Sequence, residues 1–397
     1  MTRRSLGTLT LLAAVLVAVA IYVSSTRRTE QAAGVGELLY PGLEASLDQV
    51  KTIRIVGPGE STAVTLTRAD SGWQVTERSG YPADASHVRT LLLGLAQARV
   101  LEEKTSLPAN YPSLGVEDLT GAGATGTGVE LEGSPQPVSL LVGKSSGARS
   151  GFVRRKGEAA SWQIGTSIAV ERDPAKWLAT KLLDIGADRI QSAEFVAAGK
   201  RPWSAAKSSR ADLAFAVKGK PASGKSDSGN VDRIASSLAG LRLTDVRRAS
   251  DGADMKPAAT ATYRTFDGLV LAVEGYTEGD KRYVRVKPSL DEAAARRFFV
   301  APAPPTGKDS APATAEKNSA AKSVVAPAPA AADDKKPAGA MSESKSDAAA
   351  AAGKPAPSTP DTVLAQTRDE AAKLEARLEG WMFEIPGWSY DSIFVQP

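Results

Sequence analysis

The 397-residue chain has no cysteine and a single histidine. The first absence excludes a disulfide framework, zinc-ribbon and iron-sulfur sites, a cysteine nucleophile and a lipid-modified cysteine anchor. The second argues against most zinc enzymes and His-dependent triads, and no cofactor is expected. Charge of one sign is missing too: 49 basic residues against 45 acidic ones leave +4, which is no nucleic-acid signature. What is present is ordinary for a globular protein. With 42% hydrophobic and 24% charged residues, the chain is neither disordered from end to end nor a multi-span membrane protein. Its length exceeds what one hydrophobic core normally covers, which points to about two domains plus segments that do not fold.

One long apolar run exists. Leu6 to Val23 is eighteen residues without a charge, just long enough for a helix to cross a bilayer core of about 30 Å. Arg3 and Arg4 precede it, Arg27 and Arg28 follow it, and Glu30 offsets the far side. The expectation is an N-terminus inside and the remainder outside the cytoplasm, a single-pass inner-membrane protein with a periplasmic body. The competing reading is a cleaved signal peptide, because Ala18-Val19-Ala20 has the small-x-small form of a cleavage site. Either reading exports the rest of the chain.

Composition changes most abruptly at 301–360, where 20 of 60 residues are alanine and 10 are proline. Such a stretch cannot bury enough apolar surface to offset its chain entropy, so it reads as a solvated, disordered insertion stiffened locally by proline. Before it, strand-like runs alternate with turn residues. Val50–Val56, Ala63–Arg68 and Trp73–Thr76 form a three-strand meander broken by Gly57-Pro58-Gly59 and Asp70-Ser71-Gly72. Asp84 then caps a helix whose Val88, Leu91, Leu92 and Leu95 make one apolar face. A second set of strands follows, at Val129–Leu131, Val138–Val142, Phe152–Arg155 and Trp162–Ile164. Asp173-Pro174 is expected to open a helix through Trp177, Leu178, Leu182 and Leu183.

The order then repeats. Ile190, Ala193 and Phe195 lie 140 residues after Val50, Ile53 and Ile55; Ile234, Leu238, Leu241 and Val246 lie 146 after Val88, Leu92, Leu95 and Val100, as a second helix. Phe266–Glu274 and Arg282–Lys287 match the second meander, with the spacer interrupting the last helical region. The expected fold class is α+β: two similar halves of antiparallel β-meanders with packed helices, after one N-terminal transmembrane helix. The division is a cytoplasmic N-terminus at 1–5, an anchor at 6–23, a stalk at 24–42, repeats at 43–186 and 187–300, the insertion at 301–360, and a helix and strand at 361–397 that complete the second repeat.

Three glycine-rich matches resemble catalytic motifs without their context. Gly219 to Ser226 fits the phosphate-loop pattern, but Asp227-Ser228-Gly229-Asn230 separates it from any helix, so no nucleotide is expected. Gly121 to Gly126 fits the dinucleotide fingerprint, but a strand follows where a helix is needed. Gly143-Lys144-Ser145-Ser146-Gly147 fits a nucleophile elbow, yet Phe152-Val153-Arg154 continues as a strand, placing Ser145 in a hairpin connection. His87 lies in the first turn of its helix, one residue before the apolar face, and is expected to be solvated or locally hydrogen-bonded. Tyr283, Arg285 and Lys287 alternate on one side of a strand, Val284 and Val286 on the other. That basic side either grips an anionic polymer or faces water.

A series of short features resembles a family of membrane-anchored bacterial proteins, the domain-of-unknown-function 4340 family, often encoded beside gliding-motility-type ABC transporter components. They are Gly72-Trp73-Gln74-Val75, Tyr81-Pro82-Ala83-Asp84, Leu114-Gly115-Val116, Leu141-Val142-Gly143-Lys144, Phe152-Val153-Arg154, Asp173-Pro174 with Trp177, Phe266-Asp267-Gly268-Leu269, and Gly380-Trp381 with Ile385-Pro386. The resemblance implies a repeated α+β extracytoplasmic domain attached to an auxiliary transport or envelope system, with ABC transporter subunits as partners, and no catalytic residues. The expected function is that of a non-enzymatic accessory protein. The alternatives are an envelope-polymer (glycan) binding module and, third, a hydrolase using paired carboxylates.

Overall fold

The computed structural model describes residues 35–212, 214–218, 233–234, 236–299 and 360–394; the apolar run 6–23, the glycine-rich 219–226 and residues 301–359 lie outside them. The first sheet follows from its turns. β1 (Thr52–Val56) buries Ile53 and Ile55 and pairs antiparallel with β2 (Thr62–Ala69), which continues into β3 (Gly72–Val75) and β4 (Tyr81–Pro82). Gly72 has φ 117°, which lets the chain reverse between β2 and β3 without a Cβ penalty. Pro82 lies in the edge strand, where its missing N–H costs no ladder bond.

Asp84 caps α1 (Ala85–Ala96) by accepting the amides of Ser86 and His87, and Val88, Leu91, Leu92 and Leu95 are buried along one face. β5 (Val100–Thr105) and the single turn α2 (Tyr111–Leu114) follow. The meander β6 (Thr127–Glu132), β7 (Val138–Ser145), β8 (Gly151–Arg155) and β9 (Ser161–Ile164) completes a nine-stranded sheet of order β4-β3-β2-β1-β6-β7-β8-β9-β5.

β10 (Lys181–Leu183) leads into the second sheet through β11 (Ile190–Ala197), β12 (Trp203–Ala206) and β13 (Ala216–Lys218). β14 (Leu241–Arg242) pairs back on β10. β15 (Asp245–Arg248), β16 (Ala259–Thr265), β17 (Leu269–Glu278) and β18 (Lys281–Leu290) come next. The helices α3 (Glu292–Phe299) and α4 (Pro360–Leu378) stand between β18 and β19 (Trp381–Ile385), and α5 (Gly387–Ile393) follows. The order is β13-β12-β11-β16-β17-β18-β19-β15. Set against the first sheet without β4, it follows the same sequence of elements. Corresponding registers agree: Ile53 opposes Leu131 in one sheet, and Ala193 opposes Tyr263 in the other.

The chain is therefore mixed α+β with antiparallel sheets and few helices. One apolar cluster runs through both sheets, with Trp177, Tyr263 and Phe383 fully buried. Tyr81 of the first sheet meets Trp381 and Phe383 of the second edge-on, at ring distances of 5.1 and 6.1 Å. No helix among the described residues is long and apolar enough to cross a membrane.

Several expectations are corrected. Asp173 does cap Ala175 at 2.9 Å, but only one 3-10 turn, Pro174–Trp177, forms. Leu178 then turns extended and bridges Ala83, while Leu182 and Leu183 enter β10; backbone pairing outcompetes the helical spacing. Leu241 and Val246 likewise lie in strands, and the second helical pattern survives only around Ile234. Phe266–Gly268 is a turn rather than the start of a strand. The strand before it, β16, reads Ala-Thr-Ala-Thr-Tyr-Arg-Thr, whose small residues give little apolar signal although Ala261 and Tyr263 are buried. Gly143 and Lys144 are inside β7, and Ser145 is its last residue, so the hairpin connection begins only after it. The segment 300–359 falls between α3 and α4, and this interrupted helical region itself lies between two neighbouring strands of a meander, β18 and β19.

Candidate functional site

β18 carries the three side chains singled out from the sequence, and its pairing with β17 decides their surroundings. Tyr283 lies opposite Tyr276, Arg285 opposite Glu274, and Lys287 opposite Ala272, one step diagonal to Glu274. Both cations therefore reach one carboxylate. Lys287 Nζ is 2.6 Å from Glu274 Oε1, Arg285 Nη1 is 3.9 Å from Oε2, and the Tyr276 hydroxyl donates to Oε2 at 2.8 Å. Burial works against the charge on Glu274, but the bonds from Lys287 and Tyr276 and the nearby Arg285 outweigh it and hold the carboxyl below the usual glutamate range.

Tyr283 is buried rather than displayed, with the Arg247 guanidinium 4.0 Å above its ring. Arg247 also binds Glu278 at 2.9 Å and lies 3.1 Å from the sulfur of Met255. Arg285 donates to the Ala249 carbonyl at 3.2 Å, fixing the loop after β15 against β18.

Between β18 and α4 this arrangement leaves a groove of about 480 Å³, lined among others by Arg285, Lys287, Pro288, Glu375 and Glu379. Its two glutamates stand four residues apart, Glu375 in the last turn of α4 and Glu379 just beyond its end with its amide donating to the Glu375 carbonyl at 2.8 Å, so they flank the same wall rather than face each other. The groove is thus a mixed-charge recess in which the cations of β18 already have an anionic neighbour.

Other polar clusters, not foreseen from the sequence, fix the elements around it. Arg189 Nη2 contacts both Asp267 and Glu370 at 2.8 Å, so the chain at the start of β11 fastens α4 to the turn before β17. In the first sheet, buried Arg154 donates to the Val116 carbonyl at 2.7 Å, to the Glu158 carbonyl at 3.0 Å and to Asp118 at 2.5 Å, and lies 4.4 Å over the Tyr111 ring. Lys144 Nζ binds the carbonyls of Pro112 and Ser113 at 3.2 and 3.0 Å. Leu114-Gly115-Val116, Gly143-Lys144 and Arg154 are therefore one structural cluster, in which a Cβ at Gly143 would overlap the Leu114 carbonyl oxygen. Apart from the contact between Arg154 and the Glu158 carbonyl, these pairings join residues far apart in the chain and so have no local sequence signal.

His87 stacks on Trp177, with ring centroids 4.1 Å apart and planes 10° from parallel, and its Nδ1 is 3.2 Å from the Lys176 carbonyl. Among the described residues, no group of three or more His, Asp or Glu is arranged to hold a metal ion. Gly121 to Gly126 is a loop.

Comparison with curated proteins and with solved structures finds no match. Residues 73–262, from β3 into β16, match the model of a domain of unknown function, DUF4340. The motifs clustered around Arg154 and Lys144 lie inside that stretch, and with this match the segment 73–262 is a domain of the DUF4340 family.

Proposed function

We propose that the protein is a non-enzymatic accessory of a membrane-embedded complex of ABC-transporter type, tethered to the inner membrane by 6–23 with its folded part outside the cytoplasm. The observation that carries this reading is the use made of the charged side chains. Those around the β18 groove, and the pairs Arg189 with Asp267 and Glu370, are engaged in bonds that join separate elements of the fold. Such a body is suited to presenting a fixed surface to a partner. Trp388, on the short helix α5, supports the same reading: it is 74% exposed although Tyr390 and Ile393 of that helix are buried. An exposed tryptophan on an anchored element is the kind of residue that dominates binding energy at protein interfaces.

We also read the two sheets as copies of one unit, because a shared order of eight strands and a shared register between the central strands are improbable by independent folding. Within that reading, the helices α3 and α4 with 300–359 are an insertion into one copy, at the place where the other has the short β8–β9 connection. The polymer-binding alternative draws less support from β18, where Glu274 offsets both Arg285 and Lys287.

The test is crosslinking in cells from a photoreactive residue at position 388 of the full chain. Recovery of the subunits of one membrane complex, lost when the residue is moved to half-buried Arg54 in the middle of the first sheet, is the expected result. Recovery of the protein alone, from either position, would sink the reading.

A further inference from the structure

A second recess of about 680 Å³ opens where the chain after β12, the end of β16 and the start of α3 meet. Arg210, Arg264 and Arg297 line it, one from each of these three elements, with Phe266 as an apolar wall. We propose that this recess is a binding site for an organic phosphate, a phosphate ester carried by a sugar, a polymer or a lipid headgroup.

The argument begins with charge balance. Asp291 is the acidic residue in the lining, and its Oδ1 accepts the Ala294 amide at 2.9 Å, capping α3. Asp212 lies beside the recess, but it accepts the amides of Ser208 and Ser209, each at 2.8 Å, and the Ser209 hydroxyl at 2.9 Å. Both carboxylates are held by backbone amides and keep their charge, so the lining sets three cations against the one carboxylate of Asp291. Among the described residues neither Arg264 nor Arg297 forms an ion pair, whereas the partly buried Arg78, Arg189 and Arg247 and the buried Arg154 each do. Arg264 is itself half-buried.

A half-buried guanidinium sharing a recess with two like charges and a single carboxylate has less counter-charge than charge around it, and a bound dianion supplies the difference. Guanidinium forks match the oxygens of a phosphate two at a time, which an ammonium cannot do. The volume and the Phe266 wall exceed what a bare ion fills and lie in the range of small organic ligands. Exposed arginines that serve only solubility are the bland alternative; they do not account for three cations from separate elements converging on one cavity beside an apolar wall.

The proposal goes beyond the accessory role and fails separately from it, because its readout is a small-molecule affinity rather than a crosslinked partner. The experiment titrates the full chain with glycerol 3-phosphate and with glucose 1-phosphate by calorimetry, and in a second arm with phosphatidylglycerol vesicles against phosphatidylcholine vesicles. Saturable binding that falls about tenfold or more in Arg264→Gln and in Arg297→Gln, with unchanged melting temperature, and that is unaltered in Lys287→Gln, is the expected result. Binding seen only with phosphatidylglycerol vesicles, and weakened by the same two variants, assigns the phosphate to a lipid headgroup. No saturable binding in either arm, or binding weakened equally by Lys287→Gln, overturns the proposal.

Discussion

Arg78 and Asp245 form a two-pronged ion pair between the two sheets: Nε is 2.5 Å from Oδ1 and Nη2 is 2.9 Å from Oδ2. Arg78 lies in the turn after β3, and Asp245 opens β15, the edge strand of the second sheet. Beside this pair Arg248 donates to the Ser79 carbonyl at 2.9 Å and stacks 3.8 Å over Trp381. A bidentate, partly buried pair of this kind contributes more than an isolated surface contact. Arg78→Ala is expected to cost about 1 kcal/mol in denaturant unfolding, and Asp245→Ala a similar amount. The double variant should cost less than the sum; strict additivity would show that the two side chains do not couple.

Two glycines mark places where another part of the chain lies against a strand. A Cβ on Gly275 would come within 2.5 Å of the Phe394 ring, just as one on Gly143 would meet the turn at Leu114. Gly143→Ala and Gly275→Ala should each destabilise by about 1–3 kcal/mol through overpacking. Gly121→Ala, with open space around its Cβ, should be close to neutral. Equal melting temperatures for all three would show that these close approaches relax freely.

Arg154 is buried with three hydrogen-bonded partners, two of them backbone carbonyls. Replacing it with methionine keeps much of the volume over Tyr111 but strips Val116 and Glu158 of their donor. The expected loss is about 2–4 kcal/mol, with increased amide exchange in 114–118. A variant as stable as the parent would mean that water replaces the guanidinium at both carbonyls.

Burial pushes the hydroxyls of Tyr40, Tyr81 and Tyr276 from 10.0 up to about 12, with Glu274 adding to the effect at Tyr276. Because the fold favours the neutral phenol, this contribution is complete below the ordinary value of 10.0 and disappears as pH rises through about 12. Stability should therefore fall across that interval, together with tyrosinate absorbance. Tyr81→Phe should shallow the fall. An alkaline limb unchanged in this variant would remove Tyr81 from the account.

The elements legible beforehand are those whose signal is local. The β1–β3 meander, the Asp84-capped helix and β19 at Trp381–Ile385 follow from alternation, turn residues and a cap within a few positions. β16 escaped because Ala and Thr carry little hydrophobic contrast, and Leu182-Leu183 looked helical because spacing alone cannot show that Leu241–Arg242 will pair beside it. The alternation along β18 is visible in the sequence, but the burial of Tyr283 on its basic side is not. What cancels much of its charge, Glu274, sits on the neighbouring strand, and only the register brings it there.

By itself the sequence determined the α+β class, the antiparallel connections and the cap of α1, all properties of residues close in the chain. Tertiary structure decided which charges share a neighbourhood. Arg285 and Lys287 are drawn to a carboxylate across β17 and β18, while Arg210, Arg264 and Arg297, distant in sequence, line one recess. The reason is that a side chain's electrostatic surroundings depend on strand register and on the packing of separate elements, neither of which is encoded at the position of the charge itself.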